Sequence, residues 1–410
     1  MSNEVSLLKI IKSADNFPSY STPYPQQHPL TGKRLVPFYL TFKDFQHRIP
    51  PIGVFPTSLL KELRSEKGLQ FYSILQKIGQ GKGGHHKNPS SASSKTDQGT
   101  KNVSEPKREH EEVHTKEDKG KNENEKSKVE KKGHNKDDYK VIVLAVFFSD
   151  DTNSRGKDGR TEVMIRIVNK WREEGKFPDA MKLWMDELFA IYASPHSTLW
   201  KDDEAARNPF GNVAFEIERA ATPIFGFTAL GVHMTAFEGQ GDDTKIWAPR
   251  RSANRIRSPL KYDSSVAGGI PAGMTPLQAL IKECEEEAGW FEVLVRKYVK
   301  SAGMISLFEI TRSGDLAPDI DYVYDLPLPS RESKDYVLPS PNDEEVDSFE
   351  LLTIPEVFAA LRNQEFKPTS AVATIDFLIR HGFITPENEP DYSEIVKRCH
   401  RRSGIAGPGI

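Results

Sequence analysis

At 410 residues and 37% hydrophobic content, the chain is long enough for two or more domains with their own cores. A formal net charge of −3 carries no basic bias, which argues against nucleic acid or an anionic membrane as partner, and the two cysteines, Cys284 and Cys399, are too few for a disulfide framework. Residues Met1 to Phe17 alternate apolar and charged positions, and no apolar run approaches the roughly eighteen residues of a membrane span. The expectation is a cytoplasmic protein, neither secreted nor inserted in a membrane.

In chain order, Leu7, Leu8, Ile10 and Ile11 repeat at helical spacing, a Pro-rich turn region follows, and Thr57 to Arg64 reads as a second helix. Phe71 to Ile78 has helix-like periodicity. From about Gly79 to Asp138, Lys, Glu, Ser, Asn, Gly and His dominate and aromatics vanish, a composition that cannot bury enough surface to offset its ordering entropy. This segment reads as a disordered insert that splits one domain. Its thirteen Lys/Arg against twelve Asp/Glu between Gly84 and Asp138 make it a near-balanced polyampholyte. It contains His110-Glu-Glu-Val-His114, which has zinc-protease spacing but no apolar face to hold a helix, and reads as a chance occurrence. Gly79-Gln-Gly81-Lys-Gly83-Gly84 has dinucleotide-binding spacing but follows no strand, and reads as a linker entry.

Tyr139 to Ser149 has the length and β-branched content of a buried strand. Helix candidates at Thr161–Glu174 and Asp179–Tyr192 lead to Phe215–Arg219 and a junction at Pro223. Beyond Ile224 strands are expected at 226–237, 245–249, 291–300, 304–311, 321–326 and 348–352, and helices at 354–363 and 370–381. The mixture suggests an α/β (α+β) fold with a mixed sheet covered on both faces. The expected domains are 1–219, interrupted at about 79–138, then 220–395, then a tail from 396 to 410.

The most informative segment runs from Gly268 to Trp290, a glycine loop followed by a short helix dense in carboxylates. At helical spacing Glu283, Glu286 and Glu287 point to one side while Ala279, Leu280 and Cys284 pack inward. Carboxylates that close repel one another unless a cation sits among them. A hard divalent ion such as Mg²⁺, with Mn²⁺ as a substitute, takes oxygen ligands and leaves positions for substrate phosphates. A small-molecule diphosphate is the partner this implies. Gly268 and Gly269 allow close backbone approach to phosphate, and Arg250 and Arg251, between a strand and a loop, are candidates to clamp it. Trp247 and Tyr322 are candidates to stack on a ring, although strand aromatics more often pack in cores. Cys284 reads as packing.

The spacing resembles the signature of the Nudix hydrolases: Gly, five residues, usually Glu, seven residues, then Arg-Glu-hydrophobic-any-Glu-Glu-any-Gly-hydrophobic. Gly268, Glu283, Cys284, Glu286, Glu287, Gly289 and Trp290 fall in place, while Met274 stands where the family usually has its first Glu and Lys282 replaces the Arg. Lys282 keeps the charge without the bidentate fork, and is read as orienting the glutamates. Trp247-Ala-Pro-Arg250-Arg251-Ser252, Asp263 to Gly269, Tyr322-Val-Tyr-Asp325, Glu365-Phe-Lys367-Pro368 and Phe377 to Gly382 look like a eukaryotic subgroup related to the Nudix half of thiamine pyrophosphokinase fusions. That resemblance implies a Nudix α/β/α sandwich behind a smaller α+β N-terminal domain. It also implies hydrolysis of thiamine diphosphate derivatives, especially the oxo and oxy forms, with 8-oxo-dGDP hydrolysis or non-catalytic binding as alternatives. A further glutamate on a later loop is usual in such enzymes; Glu345 is the choice for it, with Glu344 beside it as the alternative. The resulting assignment is Glu283, Glu286 and Glu287 as metal ligands, Glu286, Glu287 and Glu345 as catalytic groups, and Arg250, Arg251, Gly268, Gly269 and Lys282 at the substrate.

Overall fold

The computed structural model describes residues 6–77, 139–200 and 204–409. The insert expected at 79–138, with its His-Glu-Glu-Val-His run and its glycine-rich entry, lies outside the described residues. The described residues of 6–74 and 143–409 gather into one compact unit, and the elements that carry the site all belong to it.

Twelve strands are present among the described residues: β1 (Leu35–Tyr39), β2 (Gly53–Pro56), β3 (Leu69–Lys77), β4 (Tyr139–Phe148), β5 (Leu188–Tyr192), β6 (Val213–Glu218), β7 (Ala229–Glu238), β8 (Lys245–Arg251), β9 (Val266–Gly269), β10 (Lys300–Ile310), β11 (Leu316–Pro327) and β12 (Val346–Thr353). They form a four-stranded sheet in the order β2-β1-β4-β3, a β5-β6 ribbon, and a six-stranded mixed sheet in the order β10-β11-β7-β8-β12. In the large sheet β7 is shared. Its residues 231–234 pair with β9, while Phe237 and Glu238 pair with β8, so the short glycine strand β9 lies on the sheet's split side.

Strand periodicity decides what each face of this sheet meets. Val232, Met234, Ala236, Ile320, Tyr324 and Leu326 share a core with Ala279, Leu280 and Cys284 of the Pro276–Ala288 helix, so the acidic helix covers that face. Ile305, Leu307 and Val323 point the other way, into a core with the helices Ile354–Arg362 and Pro368–Arg380. Leu7, Ile10, Ile11 and Ala14 of the Leu7–Ala14 helix join this second core. A separate aromatic core, with Phe38, Phe55, Phe148, Trp171, Phe215, Phe225 and Phe227, holds the first sheet to the Gly156–Glu173 helix.

Three elements differ from the sequence reading. Phe71 to Lys77 is the body of strand β3 rather than a helix. The segment 179–192 is a short Pro178–Met181 helix and then β5, because Asp186 takes a left-handed turn (φ 55°) that no helix can pass through and Leu188–Tyr192 then finds β6 as an antiparallel partner. Residues 291–300, expected as a strand, form the Glu292–Tyr298 helix, with Leu294 and Val295 buried against the acidic helix's core and Val293 exposed. Tertiary burial here overrides β-propensity.

The first helix is tied down by charge as well as by apolar packing. Asp15, at its C-terminal end, is fully buried and ion-paired to Arg398 at 2.8 Å and Arg401 at 3.0 Å. Removing one member of a buried network leaves the others uncompensated. Asp15→Ala is expected to lower the unfolding free energy by about 3 kcal/mol in urea titrations; a change under about 0.5 kcal/mol would show that the network contributes little.

Candidate active site

The acidic helix is well defined by its ends. Thr275 and Gln278 form a capping box, Pro276 takes the first turn, and Gly289 closes the helix in the left-handed conformation at φ 65°. This sets its rotation, which turns Glu283 and Glu287 toward β9 and Glu286 toward solvent. Glu287 is buried, and its Oε2 accepts the Ala267 backbone N–H at 3.0 Å. Glu283 lies against Gly268 so closely that a β-carbon there would fall 2.3 Å from its carboxyl carbon. The glycine of the loop is therefore required by the carboxylate that rests on it. A β-carbon on Gly269 would instead meet the ring of Phe189 at 2.4 Å. Strand β5 docks on this turn through an Ala272 N–H to Leu188 carbonyl bond of 2.8 Å and a Phe189–Pro271 bridge.

Burial is the first cause of the site's electrostatics. It pushes Glu283 up to about 7, with the repulsion of Glu286 and Glu187 adding to it and Lys282 opposing it. Glu287 is raised well above the ordinary carboxylate range, by burial first and then by the charges of Asp263 and Glu283, against the Ala267 hydrogen bond. Lys282 spans the helix face, its Nζ 3.4 Å from Glu283 and 2.6 Å from Glu286. In this arrangement the lysine ammonium is the cation that those two carboxylates share, and no three His, Cys, Asp or Glu side chains converge as a metal cluster among the described residues. The donor set nevertheless fits a hard divalent ion. Glu283 and Glu287, two deep carboxylates with excess proton affinity, are oxygen ligands short of positive charge, while Glu286, one turn on, stands open to solvent.

The other expected residues are placed as follows. Arg251 is buried, pairs with Asp263, and donates to the Ser258 and Arg257 carbonyls at 3.1 and 3.2 Å. Arg250 stacks 3.4 Å over the Tyr262 ring and pairs with Glu350 at 2.9 Å. Both guanidinium groups are thus committed to protein partners. Glu345 pairs with Arg255, on a loop that reaches the end of the acidic helix, where Asn342 donates to the Glu285 carbonyl at 2.9 Å. Trp247 is buried and donates to Glu238 at 2.9 Å, while Tyr322 meets Phe210 edge-on at 5.7 Å. Cys284 packs against Met234 at 3.9 Å, and Met274 is exposed.

Sequence reasoning missed one cation and several acids. Lys367, at the start of the Pro368–Arg380 helix, lies 3.5 Å from Asp263, and its charge opposes the burial that raises Glu287, Asp319 and Asp321. Asp263 is held well below the usual carboxylate range by Lys367 and Arg251, against its burial. Asp263 and Lys367 stood in stretches that carried the resemblance, but nothing local marked them as neighbours.

With this geometry in view, a NUDIX domain is matched over residues 228–372. The chain is 32% identical over 257 residues to the uncharacterized protein YJR142W of Saccharomyces cerevisiae, covering 60% of this chain and 69% of that one. It is 38% identical over 185 residues to Nudix hydrolase 24, chloroplastic, of Arabidopsis thaliana, covering 45% and 48% of the two chains. It is also 36% identical over 191 residues to Nudix hydrolase 20, chloroplastic, of the same plant, covering 46% and 49%. The chain thus spans about half the length of the two plant relatives. The class these findings define is that of hydrolases acting on phosphoric anhydrides. The chain belongs to the Nudix family. No helix among the described residues is long and apolar enough to cross a membrane.

Two outcomes follow from the carboxylate geometry. Gly268→Ala is expected to displace Glu283 and weaken Mn²⁺ binding about tenfold by calorimetry; unchanged affinity would remove Glu283 from the ligand set. Because Glu283 has a folded-state pKa raised to about 7 from 4.5, its protonated form favours the fold, and that contribution is lost as pH rises through about 7. Glu287 acts in the same direction. The melting temperature of metal-free protein is expected to fall between pH 5 and pH 8, with a shallower slope in Glu283→Gln; a flat profile would contradict this.

Proposed function

We propose that the protein is a Mg²⁺-dependent diphosphatase that hydrolyses the phosphoric anhydride of a small-molecule diphosphate to the monophosphate and phosphate, with Mn²⁺ able to substitute. The observation that carries this reading is the placement of Glu283 and Glu287 in a glycine-lined recess, where burial leaves both short of positive charge. Glu283, Glu286 and Glu287 are the ligands. A divalent ion held by them would supply neutralisation of the diphosphate charge and polarisation of a water. The protein's own groups supply the rest. Gly268 gives Glu283 the clearance it needs, Lys282 holds Glu283 and Glu286 in register, and Glu287 is kept in place by the Ala267 N–H. Arg251 and Lys367 fix Asp263 behind Glu287. Glu345, on the loop against the end of the acidic helix, is the proposed base, released from Arg255 when substrate enters. Arg250 and Arg251 reach phosphate only by leaving their present partners.

Thiamine diphosphate derivatives oxidised on the ring are the preferred substrates in this proposal, on the strength of the subgroup resemblance, and 8-oxo-dGDP is the alternative. The two-part organisation, 1–219 and 220–395 with a 396–410 tail, belongs to the same proposal. A diphosphate panel read by phosphate release is expected to show turnover that stops with EDTA and falls at least about a hundredfold in Glu286→Gln. Full turnover in that variant would refute the ligand assignment.

The Lys282 ammonium between Glu283 and Glu286 favours a second reading, a Nudix-fold binder without turnover. Ligand-induced thermal stabilisation with no phosphate released from any diphosphate, in Mg²⁺ or Mn²⁺, would establish it.

A further inference from the structure

A cleft of about 130 Å³ lies in the N-terminal half, outside the glutamate recess, between the Gly156–Glu173 helix and the β5–β6 ribbon. Its walls are Ile165 and Val168 of that helix, Leu188 of β5 and the indole of Trp184. Glu218 of β6 lies buried among them, while Asn169 and Asp186 are exposed at the mouth. Such a volume is close to the roughly 150 Å³ that holds one benzene ring. The lining joins an apolar wall to two carboxylates, and no described lysine or arginine is part of it.

Three observations set this cleft apart from a packing gap. First, Glu218 is 3% exposed, and its hydrogen bonds come from the backbone N–H groups of Met185, Glu187 and Ala220 at 3.1, 3.1 and 3.3 Å. The adjacent Arg219 turns its guanidinium to Glu187 instead, at 2.7 Å. Burial raises Glu218 above the ordinary carboxylate range even against those N–H groups and the Arg219 charge, so this carboxylate is short of positive charge. Second, the segment that carries Trp184 is strained at both ends, where Phe177 and Asp186 hold left-handed backbone at φ 51° and 55°. Third, Trp184 already displays cation recognition. Its Nε1 donates to Asp186 at 2.6 Å, and the guanidinium of Arg172, which does not line the cleft, lies 4.3 Å over its ring.

We propose that this cleft is a second small-molecule site, which takes a planar, single-ring organic cation with its ring against Trp184 and Leu188 and its N–H groups on Glu218 and Asp186. An aryl amidinium or a protonated amino-heterocycle has this chemistry. A neutral ring would leave Glu218 uncompensated, and an anion would meet two carboxylates. A planar cation answers both demands, since the ring covers the apolar wall while the N–H edge makes charge-assisted hydrogen bonds. The site shares strand β5 with the glutamate recess but none of the proposed ligands: Leu188 lines the cleft, and its carbonyl accepts the Ala272 N–H of the glycine turn at 2.8 Å. The assignment is independent of the diphosphatase reading.

Calorimetric titration of the full chain with benzamidinium, neutral benzamide and anionic benzoate, three molecules of one shape, reads the charge preference directly. Saturable binding of benzamidinium is expected, at least about tenfold tighter than benzamide, with none for benzoate. Trp184 and Asp186 are not buried, so Trp184→Leu and Asp186→Asn should keep the fold, and each is expected to weaken benzamidinium about three- to tenfold. Glu218→Gln is expected to cost more than about tenfold. Because Glu218 also holds three backbone N–H groups, its melting temperature is measured alongside, and the other two variants carry the test if this one unfolds. No saturation by about 10 mM benzamidinium, equal affinity for benzamide, or wild-type affinity in both Trp184→Leu and Asp186→Asn overturns the proposal. A loss seen in Glu283→Gln and absent from the cleft variants would move the cation to the acidic helix and overturn it equally.

Discussion

The structure depends on one electrostatic constraint, the crowding of Glu283 and Glu287 against the short strand β9. Two carboxylates in a recess of low polarity repel each other and lose hydration, and the fold tolerates this because everything else in the region holds them there. The capping box and the Gly289 terminus fix the rotation of the acidic helix, and Leu280 and Cys284 fix its depth. Gly268 supplies the clearance. A protein without use for a cation at this place would gain stability by replacing either acid with an apolar group. Such a local cost is the kind that functional sites carry.

The rest of the molecule reads as support for that recess. Strand β5, contributed by the N-terminal half, lies on the glycine turn through Phe189, and Arg219 pairs with Glu187 at 2.7 Å close enough to Glu283 for Glu187 to affect its ionisation. The helix Pro368–Arg380, from the other side, brings Lys367 to Asp263 and pins the same carboxylate through Ser370. Residues far apart in the chain therefore meet within one recess, and the N-terminal half is part of its wall.

What the sequence revealed was what a local pattern can hold. The acidic helix, its caps and the glycines before it are contiguous, so spacing alone placed Glu283, Glu286 and Glu287 on one face. Burial then distinguished them: Glu287 is enclosed and Glu286 is open, a difference that 3.6-residue periodicity does not encode. Lys367 was invisible as a neighbour of Asp263 because their proximity comes from the entry point of a distant helix. The Phe71–Lys77, 179–192 and 291–300 segments were misread for a related reason. Each is short and apolar on more than one side, and its state is decided by the partner it packs on, β6 for Leu188–Tyr192 and the acidic helix's core for Leu294 and Val295.

The central claim is that these carboxylates hold protons in the metal-free protein and surrender them to a divalent ion. Calorimetric titration with Mn²⁺ at pH 6.5, repeated in two buffers of different ionisation enthalpy, counts the protons released. The account predicts saturable binding with net proton release that is reduced or lost in Glu287→Gln. Binding without proton release, or no binding in the intact protein, would contradict it.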